Sequence, residues 1–202
     1  MTATVPPPRP ESARNPEAKT ASMFVERWSR RALSTRPLGP DTVASLLEAA
    51  RWAPSSSNSQ PWLFIYADDP NTLAAARPVL VDGNRRWADK APLLLFAFAR
   101  RSDAKTARPL PTAQFDTGAA WMSLALQAHA LGLTAHAMLG FHHDKAYEVF
   151  GVPESDYHAL AAIAVAYPGD ADELPDDLKA RERLSPRKHV AEFAFRGRFP
   201  QP

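Results

Sequence analysis

The sequence predicts an α+β fold of packed layers, and three observations carry that prediction. Residues 92–99, PLLLFAFA, form a continuous apolar run of strand length, as expected of a central strand covered on both faces. Residues 112–131, TAQFDTGAAWMSLALQAHAL, read as a long helix that is apolar nearly all round and closed by Gly132, which predicts a position in the middle of the molecule with cover on both sides. Around these two segments helical and strand-like periodicities alternate, with no internal repeat and no domain linker.

Each element follows from its residues. Residues 1–21 are rich in Pro, Ala, Arg and Glu and contain almost nothing large and apolar, so they bury too little surface to offset ordering entropy and are expected as a disordered tail ahead of a single domain, 22–202. SMFVERWSRRA, from Ser22, predicts a short helix with Met23, Phe24 and Trp28 at helical offsets. DTVASLLEAARWA places Val43, Leu46, Leu47 and Ala50 on one core-facing stripe and stops at Pro54. WLFIYA reads as a buried strand and NTLAAARPVLV as a modest helix interrupted by Pro78. TAHAML and LAAIAVAY are further strands, separated by a helix DKAYEVF that ends at Gly151. The acidic GDADELPDDLKARERL is a surface loop and helix. The final SPRKHVAEFAFRGRFPQP is an extended arm whose Phe193, Phe195 and Phe199 need a surface to dock on, for which a partner subunit is the natural candidate.

Composition narrows the function classes. The chain of 202 residues is 45% hydrophobic and 23% charged, near globular averages. A net charge of +2 with no long basic run speaks against nucleic acid as a partner. The absence of cysteine removes disulfides, thiolate nucleophiles and cysteine-held metal centres. No apolar stretch reaches membrane-spanning length and the N-terminus lacks the apolar core of a secretory signal, so a soluble cytoplasmic protein with no membrane partner is expected.

Several motifs could carry chemistry. In ERWSRRAL the residues Arg27, Ser29 and Arg31 alternate: in an extended segment they converge on one point, whereas on a helix Arg27 and Arg31 share a face. Two guanidiniums and a hydroxyl suit a phosphate monoester, although a solvated basic helix face has the same spacing. RWAPSSSNSQPW holds more hydrogen-bonding groups than a helix-to-strand turn requires, and Asn58 can both donate and accept, as the edge of a planar imide demands. The alternative is a loop that caps its neighbours. Asn84 precedes the central strand, where ligands meet a sheet edge but where turn residues are also common. Arg187 and Lys188 could add to a phosphate site. His142 and His143 lack a suitably spaced third ligand, His129 lies inside an apolar helix, and neither a nucleophile elbow nor a glycine-rich phosphate loop is present, which leaves no metal site, no serine hydrolase and no conventional dinucleotide fold.

Taken together, RWSRRAL, LLEAARWAPSSSNSQPWLF, GNRRWADKAPLLL and DTGAAWMSLALQAHALGL resemble, in order, the nitroreductase family of flavin-dependent oxidoreductases, over Phe24 to the C-terminus. The resemblance implies a sandwich of a central mixed sheet flanked by helices, assembled as a homodimer whose C-terminal arm wraps the partner, with FMN at the subunit interface. It implies that Arg27, Ser29 and Arg31 hold the FMN phosphate, with Trp28 between them. Pro54, Ser55, Ser56 and Asn58 would reach the flavin from the other subunit, Asn84 and Gly140 would sit at the ring, and Arg187 would assist at the phosphate. Where some members carry a further basic residue this chain has Ser185, for which Lys188 could compensate. Trp87, Phe115 and Phe141 stand open between lining the ring and filling the core. The implied activity is ping-pong hydride transfer from NADH or NADPH through FMN to an electron-poor small molecule, a nitroaromatic or quinone, with no protein acid or base required. A specialised flavin dehydrogenase or dehalogenase of the superfamily, or a flavin-binding protein without turnover, is the alternative.

Overall fold

A computed structural model describes residues 14–200 of the chain. Helix α1 (Ser22–Glu26) is followed by α2 (Pro40–Arg51), strand β1 (Trp62–Ala67), α3 (Pro70–Ala76), α4 (Asp82–Ala88) and β2 (Leu93–Arg100). The chain continues through α5 (Ala113–Ala130), β3 (Thr134–Met138), α6 (His143–Phe150), β4 (Tyr157–Ala166) and α7 (Asp176–Lys179) before the C-terminal segment. The strands form one sheet in the order β1-β2-β4-β3.

The sheet is not mixed. Every pairing among the described strands is antiparallel: β1 with β2, β2 with β4, and β3 with β4. An apolar run reports burial on two faces, but strand direction depends on the route of each connection, which no local pattern encodes. In β2 the two faces separate by the period of two. Leu94, Phe96 and Phe98 join Trp87, Val79 and Phe141 in one core, while Leu93, Leu95 and Ala97 join Leu46, Leu124 and Ala128 in the other. The sheet is thus covered by α3, α4 and α6 on one side and by α2 and α5 on the other, with the alanines of β3 and β4 allowing close helix approach.

Two elements depart from the expected pattern. α5 buries Ala113, Asp116, Thr117, Ala120, Leu124, Ala125 and Ala128, yet Phe115 on its opposite side is 82% exposed, so one chain covers only one face of this helix. α1 is a single short turn: Arg27 leaves helical geometry at φ −59, ψ 128, and the following residues run extended. A five-residue helix gains too few hydrogen bonds to propagate without tertiary support. Part of the stretch expected as a disordered tail, 14–21, has a described position, with Arg14 buried at 9% exposure; residues 1–13 lie outside the described residues.

Candidate functional site

The extended geometry after α1 decides between the two readings of the basic motif. Arg27, Ser29 and Arg31 alternate along a segment laid against β3, an edge strand, and all three line one cavity of about 300 Å³ together with Trp28. The segment is pinned from two sides. On one, the Thr134 hydroxyl donates to the Trp28 carbonyl (3.4 Å) and accepts from the Arg30 N–H (3.3 Å). On the other, the Glu182 carboxylate accepts the N–H groups of Arg31 (2.9 Å) and Ala32 (3.2 Å). Downstream, the Ser34 N–H donates to Tyr167 and the Gly169 N–H to Ala32. Gly169 sits so close that a β-carbon there would lie 2.5 Å from the Leu33 carbonyl carbon.

The cavity gathers more cations than the basic motif alone supplies. Arg14, Arg181, Arg183 and Arg187 join Arg27 and Arg31, so that among the described residues six guanidiniums and no carboxylate line the space. Burial holds the pKa of Arg14, Arg27 and Arg31 below the usual arginine value, and repulsion adds to it, from Arg187 on Arg14 and Arg27 and from Arg181 on Arg31. All remain protonated at neutral pH. Such a charge set, assembled at a cost in self-repulsion, fits a dianionic phosphate monoester. Arg187 reaches the cavity and Lys188 does not. The Ser185 that stands in place of a basic residue accepts from Arg187 Nη1 at its hydroxyl (2.9 Å) and so helps to aim it.

His136 also lines the cavity. Its Nδ1 faces the Arg30 carbonyl at 3.0 Å, which assigns the proton to Nδ1 and leaves Nε2 as an acceptor. Burial pushes its pKa down to about 4; the Arg30 carbonyl opposes that shift, and the cations of Arg31, Arg27 and Arg181 add to it. Its ring lies 4.5 Å from that of Trp87, the last-turn residue of α4, and the Arg31 guanidinium stands 6.0 Å over the same indole.

One turn earlier on α4 is Asn84, a helical residue rather than a turn residue. Its Nδ2 donates to the Gly140 carbonyl at 2.9 Å, bringing these two predicted residues together. A β-carbon on residue 140 would lie 2.5 Å from that same nitrogen and 2.9 Å from Val81, so glycine is needed for the approach. Trp87 and Phe141 are core residues at 2% and 5% exposure, whereas Phe115 projects outward.

The polar loop lies elsewhere. Ser56 and Asn58 line a second cavity of about 580 Å³, which shares no lining residue with the first. Here the loop is held by α5: the Ser56 N–H donates to the buried Asp116 carboxylate (3.2 Å), which also accepts from the Thr112 hydroxyl. Ser55 Oγ accepts the Gln60 N–H, and the Asn58 side-chain oxygen accepts from Gln60 Nε2 at 3.0 Å. Ser57, Asn58 and Gln60 adopt φ of 50, 55 and 46, a left-handed geometry that only Asn among them tolerates readily. Strain concentrated over four residues marks a loop whose shape matters more than its stability. Pro54 leads into it, exposed to solvent.

Arg14, His136, Arg181 and Arg183 were missed by sequence reasoning. The alternation R-x-R around Glu182 repeats the signal that marked Arg27 to Arg31, but Arg14 stands in a Pro-rich stretch with no periodicity at all.

The sequence profile of the Nitroreductase family matches residues 24–86 and 72–167. The chain belongs to the nitroreductase family. Among solved structures, an oxidoreductase containing FMN superposes on this member with a TM-score of 0.90 at 38% identity, covering 96% of this chain and 100% of its own. A chain from Desulfovibrio desulfuricans, solved in complex with FMN, gives 0.67 at 25% identity over 89% and 96% of the two chains. A curated relative, the NADH dehydrogenase of Thermus thermophilus, is 28% identical over 187 residues, 76% of this chain and 88% of that one.

Proposed function

We propose that this oxidoreductase of the nitroreductase family is a soluble cytoplasmic homodimer that holds FMN between its subunits and passes a hydride from NADH or NADPH to an electron-poor small molecule, a nitroaromatic or quinone, by a ping-pong cycle. The cavity lined, among the described residues, by six guanidiniums and no carboxylate carries the reading, because its charge fits the phosphate end of FMN. FMN, when bound, supplies a ring that accepts hydride from one substrate and yields it to the next.

The chain's own residues bind and orient. Arg27, Ser29, Arg31 and Arg187 hold the phosphate, with Trp28 as the wall between them, and Asn84, locked to Gly140, faces the ring. Pro54, Ser55, Ser56 and Asn58 complete the partner's site, which accounts for a strained polar loop that shares no cavity with the basic cluster of its own chain. Association also provides cover for Phe115 and for the arm residues Phe193 and Phe199, which are 63% and 74% exposed. No helix among the described residues is long and apolar enough to cross a membrane.

The test is the visible spectrum of purified protein after addition of FMN and desalting, followed by anaerobic NADH and then NADPH. Retained yellow colour that bleaches with either donor is the expected result, and the faster donor identifies the preference. Retained colour that never bleaches would instead favour a flavin-binding protein without turnover, and colourless protein would overturn the assignment.

A further inference from the structure

The Arg14 guanidinium ties together two stretches of chain that are far apart in sequence, 25–27 and the one at Ser185. Its Nη1 donates to the carbonyls of Val25 and Arg27, each at 2.8 Å, and its Nε donates to the carbonyl of Ser185 at 2.9 Å. The first two acceptors flank Glu26, the last residue of α1, where helical carbonyls lose their partners and the chain turns extended. That switch sets the alternation of Arg27, Ser29 and Arg31 into the cavity. The third acceptor belongs to the residue whose hydroxyl aims Arg187. A planar fork with fixed donor angles holds such a set of carbonyls in one arrangement, which a flexible ammonium cannot.

A second tie runs beside the first. The Glu17 carboxylate pairs with His189 and accepts the Val190 N–H at 3.1 Å, so the same N-terminal segment also grips the start of the arm. Arg14 is buried, and burial of a cation is tolerated where carbonyls satisfy its donors.

We propose that Arg14 is a positioning residue of the anion pocket: through the carbonyls of Val25, Arg27 and Ser185 it fixes the backbones that carry both basic clusters, and thereby makes the segment around it part of the phosphate site. The proposal rests on the reading of the cavity as an anion site. It does not require that the anion be a flavin.

The test compares wild type with Arg14→Lys, which keeps the charge and loses the fork, and Arg14→Met, which loses both. For each, the dissociation constants of inorganic phosphate and of FMN are measured along with the melting temperature of the ligand-free chain. Both variants should bind phosphate and FMN about tenfold or more weakly, as loss of a charge-assisted arrangement implies. Arg14→Lys should fail to rescue. A purely structural role would lower the melting temperature of the folded variants while leaving phosphate affinity at the wild-type value, and that outcome overturns the proposal. A wild type that binds phosphate but not FMN would overturn the flavin reading alone. A wild type that binds neither would overturn both.

Discussion

His136 shows what burial beside a cation cluster does to a single residue. Its pKa of about 4 lies below the ordinary 6.5, so between these values the unfolded chain binds a proton that the folded chain refuses. Stability therefore rises with pH through that window and falls as pH drops from 7 to 4, by about 3 kcal/mol for a shift of this size. Urea unfolding at pH 7 and at pH 4.5 should show a loss that His136→Gln largely removes; equal losses in the two proteins would refute a buried neutral imidazole. Phosphate in the cavity should raise the imidazole pKa, visible in the histidine ring signals by NMR, because an anion offsets Arg31, Arg27 and Arg181. At this scale the sequence was partly legible. The alternation of Arg27, Ser29 and Arg31 is a local signal, whereas His136 lies more than a hundred positions downstream of the Arg30 carbonyl it faces.

Among the elements, two close approaches depend on glycine, one at the segment that follows α1 and one at α4. Gly169→Ala would drive a methyl group into the Leu33 backbone, 2.5 Å from its carbonyl carbon, with no flexible side chain to yield. The expected cost is about 2 kcal/mol or more in chemical denaturation, accompanied by poorer flavin retention because the displaced segment carries Arg31. Gly140→Ala meets side chains instead, Asn84 and Val81. That change should cost less stability, about 1–2 kcal/mol, while breaking the Asn84 to Gly140 hydrogen bond and weakening FMN binding, as measured by flavin fluorescence titration. The stripe Val43, Leu46 and Ala50 of α2 and the apolar run of β2 were readable because burial imprints its period on the sequence. The antiparallel direction of the strands and the early end of α1 were not, since both depend on contacts with distant segments.

For the molecule as a whole, the single chain leaves one face of α5 and its C-terminal segment uncovered. Phe115, Leu139, Phe193 and Phe199 are exposed at 82%, 76%, 63% and 74%, large apolar side chains that association would cover. Under the proposed assembly Phe115→Glu should shift the sedimentation coefficient toward the monomer and lower flavin content with it, because the loop at 54–58 would no longer reach the partner's site. A monomeric variant that retains full flavin content would remove the loop from the site.

The sequence by itself determined the α+β class, the positions of the strands and main helices, and the two polar motifs, since apolar periodicity and clustered hydrogen-bonding residues are written over a few turns of chain. Only the tertiary structure decided the strand directions, the separation of the polar loop from the basic segment, and the convergence of Arg14, Arg27, His136 and Arg187 at one cavity. Burial is a property that each segment states locally. Convergence is a property of paths between segments, and the hydrogen bonds from Arg14 to Ser185 and from Arg31 to Glu182 span most of the chain.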